Sequence, residues 1–367
     1  MSNTQQLTRI GILGCGNISG HYFEGCAKFS NLKIVACADL DASRARAVAE
    51  KYGVEAEQSP DSLAARDDIE IVVNLTVPAA HAETSIRLLE AGKNVYCEKP
   101  FALSVSEGEK VLSVAERQGR LICSAPANFL AAICQTARRL VDSGAVGRPV
   151  AATSFWANRG PEAWHPAPES FYAASAGPMW DTGPYPLADV LNYFGSISAA
   201  TVLPFSGIPE RECLHPALEG KKFISQSPTH VVALLETSTG VLVNLTTSFD
   251  IRAHRLPFFE IYGTDGTLNV GMFAASSPVL LLKTRTDSDW LEIKPDTGPA
   301  YAWGIGVHEM ALALTEGTES RVHARRALHL LEVMECARSK QQCRQVMRTR
   351  ADRPQPFSQE SFGSLGV

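Results

Sequence analysis

The first residues whose types and spacing point to chemistry are two glycines and an acid. Gly14-Cys15-Gly16-Asn17-Ile18-Ser19 follows an apolar run at 9–13 and opens a stretch of helical periodicity. In such a loop the first glycine permits a tight turn and the second lets the backbone approach a pyrophosphate. The N–H groups at the helix start, around Asn17 and Ile18, then face the anion together with the positive end of the helix dipole. The third position, usually Gly or Ala, is Ser19, a slightly larger residue. Asp39 closes the next apolar run, about 25 residues after Gly14. A carboxylate there accepts hydrogen bonds from the adenosine ribose hydroxyls and repels a 2′-phosphate; capping the next helix is its alternative role. NAD is therefore expected over NADP, with Arg44 and Arg46 as the nearby residues that would serve NADP instead.

These residues need a parallel sheet to hold them. Apolar runs at 9–13, 33–38, 71–75, 94–97 and 120–124 alternate with helical stretches at 20–29, 42–52, 80–91 and 105–118, the rhythm of a doubly wound α/β domain. A further helix, 133–143, ends at Gly144 and Gly147. The period then shortens. Strand-like runs at 150–157, 229–236, 241–249, 258–262 and 267–270, with turns at Thr239-Gly240 and Asp265-Gly266, predict a mostly antiparallel sheet in an α+β domain. Two late helices, 304–315 and 324–339, are expected to cover it. The resulting division is residues 1–125 as dinucleotide-binding domain, 126–349 as substrate and oligomerisation domain, and 350–367 as an extended tail.

Bulk properties exclude several classes. Of the 367 residues 45% are hydrophobic and 20% charged, and the formal net charge of -5 argues against a nucleic-acid partner. No leader of the signal type precedes the first strand, and no apolar run reaches the roughly 18 residues of a membrane span, so a cytoplasmic location and no membrane partner are expected. The nine cysteines contain no C-x-x-C pair, and no tight Cys/His spacing marks a metal site. Buried free thiols fit them best.

A more specific signal lies further along. Ala91-Gly92-Lys93-Asn94-Val95-Tyr96-Cys97-Glu98-Lys99-Pro100 resembles the AGKHV-x-x-EKP segment of the glucose–fructose oxidoreductase/inositol dehydrogenase (Gfo/Idh/MocA) family. Thr76-Val77-Pro78-Ala79-Ala80-His81 resembles its P-x-x-H turn, and Gly177-Pro178-Met179-Trp180-Asp181-Thr182-Gly183-Pro184-Tyr185 its G-x-x-x-D-x-G-x-H/Y helix. The resemblance implies that Thr76, Pro78, His81, Glu98 and Lys99 border the cofactor and that Lys99, Asp181 and Tyr185 face the nicotinamide. Tyr185, where inositol dehydrogenases have His, matches the branch of glucose–fructose oxidoreductase and dihydrodiol dehydrogenase. It also implies a homodimer or homotetramer formed through the second sheet.

Oxidising an alcohol takes hydride from carbon and a proton from oxygen. A tyrosine is a poor base near neutral pH unless a cation favours its phenolate, and Lys99 would supply one. Asp181, one turn before Tyr185 if the segment is one helix, would fix Lys99 or bind a substrate hydroxyl. Trp164 and His165, in the loop at 158–178, either contact a sugar ring or anchor the loop. Asn128 and His308 are weaker pocket candidates. The expected activity is an NAD-dependent sugar or polyol dehydrogenase, in particular an aldose oxidised at C1 to a lactone. A redox-neutral NAD-dependent glycosidase would cleave glycosides without NADH build-up, and a non-catalytic NAD-binding regulator would be expected to lack Lys99 or Tyr185.

Overall fold

The computed structural model describes residues 7–296, 298–338 and 341–356. By the closeness of its Cα atoms in space the chain divides into two units. One holds the chain up to Ala131, the stretch ending at Leu328 and the residues from Pro354; the other holds Ala132–Asp296 and His329–Arg353.

Apolar, β-branched runs build the first unit's sheet. Its strands are β1 (Thr8–Leu13), β2 (Leu32–Ala38), β3 (Glu55–Ala56), β4 (Ile71–Asn74), β5 (Asn94–Cys97) and β6 (Ile122–Ser124), all parallel in the order β3-β2-β1-β4-β5-β6. Helices α1 (Asn17–Cys26), α2 (Ala42–Tyr52), α3 (Pro60–Ala64), α4 (His81–Glu90) and α5 (Val105–Gln118) make the crossovers. Leu13, Val35, Val72 and Val95 from the strands pack with Leu88, Leu89 and Val111 from α4 and α5. Each large aliphatic side chain so buried contributes about 1.5–3 kcal/mol. Asp41 caps α2 by accepting the Ser43 and Arg44 N–H groups. That leaves Asp39 out of the capping role.

In the second unit, after α6 (Ala132–Asp142), β7 (Pro149–Ala157), α7 (Pro178–Asp181) and α8 (Pro184–Phe194), come β8 (Ile197–Phe205), a small hairpin of β9 (Glu210–Glu212) and β10 (Lys222–Ile224), then β11 (His230–Thr237), β12 (Leu242–Ser248), β13 (Phe259–Gly263), β14 (Gly266–Val270), β15 (Leu280–Thr284) and β16 (Leu291–Ile293). All of these strands except β9 and β10, together with β17 (Cys343–Val346), form a nine-stranded sheet, order β16-β15-β14-β13-β7-β12-β11-β8-β17, antiparallel except where β12 runs parallel to β7. Along β11, Val231, Ala233 and Leu235 are buried while Leu234 is 56% exposed, so one face is packed and the other open.

Two expectations are corrected. Helix α9 (Ile305–Glu316) packs on α1, β5 and β6 of the first unit instead of covering the second sheet. Its apolar surface runs nearly all round, so periodicity names no partner. The division itself falls inside α10 (Ala324–Glu335). The second correction is that residues 178–194 are not one helix. Pro184 and Pro186 carry no N–H for a helical bond, and the chain turns between α7 and α8 at Thr182 and Gly183.

Candidate active site

The first unit carries a cleft of about 980 Å³ lined by Gly14, Gly16, Asp39, Thr76, Ala80 and Lys93, among others. Gly14 has φ +99, and a Cβ there would come 2.5 Å from the Leu75 carbonyl oxygen. A Cβ on Gly16 would meet nothing within 4 Å, so the backbone borders open space where α1 begins. No side chain caps α1, whose first residues are Asn17 and Ile18. Ser19, the larger third residue, is accommodated because its hydroxyl donates to the Gly16 carbonyl at 2.7 Å. Asp39 accepts the Cys15 N–H at 2.8 Å and the Asp41 N–H at 2.9 Å, which fixes its carboxylate beside the loop. An uncapped helix start, an open glycine and an oriented carboxylate on one cleft fit a dinucleotide.

At the end of β5, Glu98 is buried and its carboxylate accepts the Tyr22 hydroxyl and the Lys99 N–H, both at 2.7 Å. Lys99 is half-buried. Pro78 is exposed at the start of a short turn, Pro78–Ala80, while His81 is buried with both ring nitrogens on backbone carbonyls. Asn128 is wholly buried and offers no surface to a ligand. His308 is a core residue: it stacks on Phe29, its Nδ1 lies 2.6 Å from Asn31 Oδ1, and burial pushes its pKa down to about 4.

In the second unit Asp181 ends α7 and Tyr185 lies in the first turn of α8, both half-buried. The Tyr185 ring is stacked on Phe273 (centroids 5.5 Å apart) and tilted against Trp156 at 5.1 Å. Trp156 is the aromatic that sequence reasoning missed. The signal was its phase on β7, shared with buried Ala152 and Ser154. Trp164, 62% exposed, and His165 form a cluster with Phe171. Their loop is held by Arg211, which donates to Glu162, to Asp250 (2.7 Å) and to the Arg159 and Phe249 carbonyls, while the Tyr172 hydroxyl donates to Glu162.

The chain matches the model of an oxidoreductase family with an NAD-binding Rossmann fold over residues 8–125, and that family's C-terminal domain over 134–269. It belongs to the Gfo/Idh/MocA family. Among relatives, inositol 2-dehydrogenase of Salmonella paratyphi B is 29% identical over 148 residues, 39% of this chain and 44% of that enzyme's length. The chain thus spans under half of that relative. The 1,5-anhydro-D-fructose reductase of Ensifer adhaerens is 23% identical over 311 residues, 83% of this chain and 88% of that one. A solved NAD binding oxidoreductase from Klebsiella pneumoniae superposes with a TM-score of 0.78 at 19% identity, covering 92% of this chain and 98% of that one, a likeness of fold. Gfo/Idh/MocA membership accounts for the order of the domains.

Proposed function

We propose that this protein is an NAD-dependent oxidoreductase that transfers hydride between a sugar or related polyol and nicotinamide, with an aldose oxidised at C1 to a lactone as the leading reaction. The observation that carries the reading is the first unit's cleft. Its lining has six acids (Asp39, Asp41, Asp61, Asp67, Glu83, Glu90), and each of its three cations has a partner: Arg44 lies 3.9 Å from Asp39, Arg87 lies 2.7 Å from Asp61, and Lys93 donates to the Arg66 and Ile69 carbonyls. A ribose diol finds acceptors there and a 2′-phosphate finds repulsion. Names of relatives that act on inositol and on an anhydrosugar support a polyhydroxylated substrate.

Bound NAD would supply the hydride acceptor. The chain's own residues handle the proton and the geometry. Tyr185 accepts the proton of the reacting hydroxyl, the Lys99 ammonium favours the phenolate, and Asp181 binds a neighbouring hydroxyl or fixes Lys99. Trp164 and His165 contact the sugar from their loop. The pairing of Lys99 with Tyr185 is part of the proposal. The test is an NADH-formation screen over aldoses, cyclitols and anhydrosugars, with NAD and NADP offered separately. Turnover with NAD and at least one polyol is expected; no turnover with any, or a clear preference for NADP, would overturn the reading.

A further inference from the structure

Among the buried titratable groups, His81 is bonded in a way that a neutral ring cannot satisfy. It opens α4 and is 1% exposed. Its Nδ1 lies 2.7 Å from the Pro100 carbonyl oxygen and its Nε2 2.9 Å from the Thr76 carbonyl oxygen. A carbonyl oxygen only accepts, so each contact needs an N–H, and a neutral imidazole carries one. The neutral ring would set a nitrogen lone pair against an oxygen lone pair away from water, which is unfavourable. His329 shows the contrasting pattern. There Nε2 accepts the Ile197 N–H at 2.9 Å and Nδ1 faces the Thr349 hydroxyl at 3.0 Å, a set that suits a neutral ring.

We infer that His81 is held as an imidazolium and is the positioning residue of the Lys99 turn, tying that turn to the loop after β4. Both neighbours of Lys99 are then fixed. Glu98 receives the Tyr22 hydroxyl and the Lys99 N–H, and Pro100 receives a ring N–H. On the other side Asn74 donates to the His81 carbonyl at 3.1 Å and accepts the Thr76 N–H and hydroxyl at 3.2 and 2.7 Å. One ring therefore joins the C-terminal ends of β4 and β5, the edge where parallel sheets bind ligands. Burial by itself would lower the pKa of His81; the Cys97 sulfur, the Pro100 carbonyl and the Glu98 carboxylate outweigh it and push the value up to about 9. Among the described residues, Cys97 and Glu98 are the titratable groups that raise the value of the ring. The folded value lies above the ordinary 6.5, so the ring's contribution is complete below 6.5 and lost as pH rises through about 9.

This deepens the proposed function, because a positioned Lys99 matters to turnover only if Lys99 meets the substrate. The test does not need turnover. In full-length protein labelled with 15N-histidine, long-range 1H–15N spectra, with His81 assigned by loss of its signals in His81→Gln, are expected to show both ring nitrogens protonated at pH 7 and a change only near pH 9. One unprotonated ring nitrogen at pH 7 overturns the inference and leaves the dehydrogenase reading untouched. In His81→Gln the Lys99 amide is expected to exchange with solvent faster, and kcat to fall roughly 10- to 100-fold with a smaller change in NAD affinity. Unchanged exchange and kcat overturn the positioning role. Should the variant not fold, wild-type kcat is expected to fall in step with the ring's titration, and a flat profile through it overturns the role.

Discussion

At the residue scale, the proposed preference for NAD rests on Asp39. It is oriented by two backbone N–H groups, and the only arginine within 4 Å among the ion pairs of the described residues is Arg44, at 3.9 Å. Carboxylate oxygens have lone pairs to spare after those two bonds, so the ribose hydroxyls can still be received. Removing the charge costs NAD one charge-assisted hydrogen bond, about 1.5–3 kcal/mol. Asp39→Asn is therefore expected to lower kcat/KM for NAD roughly 10- to 100-fold and to raise the NADP/NAD ratio. Steady-state kinetics with each nucleotide check this. An unchanged ratio would mean that Asp39 does not meet the ribose.

At the scale of elements, Arg211 matters most to the loop that bears Trp164 and His165. Its side chain is 4% exposed and lies between Glu162 and Asp250, themselves 6% and 10% exposed. Arg211→Met leaves two carboxylates without their cation, a loss of about 3–5 kcal/mol for a buried pair. Urea unfolding is expected to show that loss, and a change below about 1 kcal/mol would assign the loop's hold to other contacts. The same contrast between local pattern and tertiary placement decides what was legible in the sequence. The glycine loop, Asp39 and the parallel strands were readable because each rests on local chemistry: a positive φ, a period of two, a crossover helix. The break between Asp181 and Tyr185 was signalled by Pro184 and Pro186, yet a spacing of four residues also fits one helical turn. Strand β8 was missed because Ala199, Ala200 and Pro204 blur its alternation. Trp156 needed the register of β7, and the partner of α9 needed the fold itself.

At the scale of the molecule, the open face of the second sheet presents Leu203, Leu234 and Leu242, each 45–59% exposed, on strands β8, β11 and β12. An apolar stripe of this kind is expected to be covered by a second copy, giving a homodimer or homotetramer. Light scattering after gel filtration is expected to show such an oligomer, and Leu234→Glu to shift it toward monomer; a wild-type monomer at micromolar concentration would remove this assembly. Among the described residues no helix is long and apolar enough to cross a membrane. The central claim of the proposed function is that Lys99 and Tyr185 act together on a hydroxyl beside bound nicotinamide. The direct measurement is NADH formation with the best substrate of the screen by wild type, Lys99→Ala and Tyr185→Phe, with NAD binding followed separately by fluorescence. Loss of turnover in both variants with NAD binding retained is the expected result. Near-normal rates in both would contradict the account.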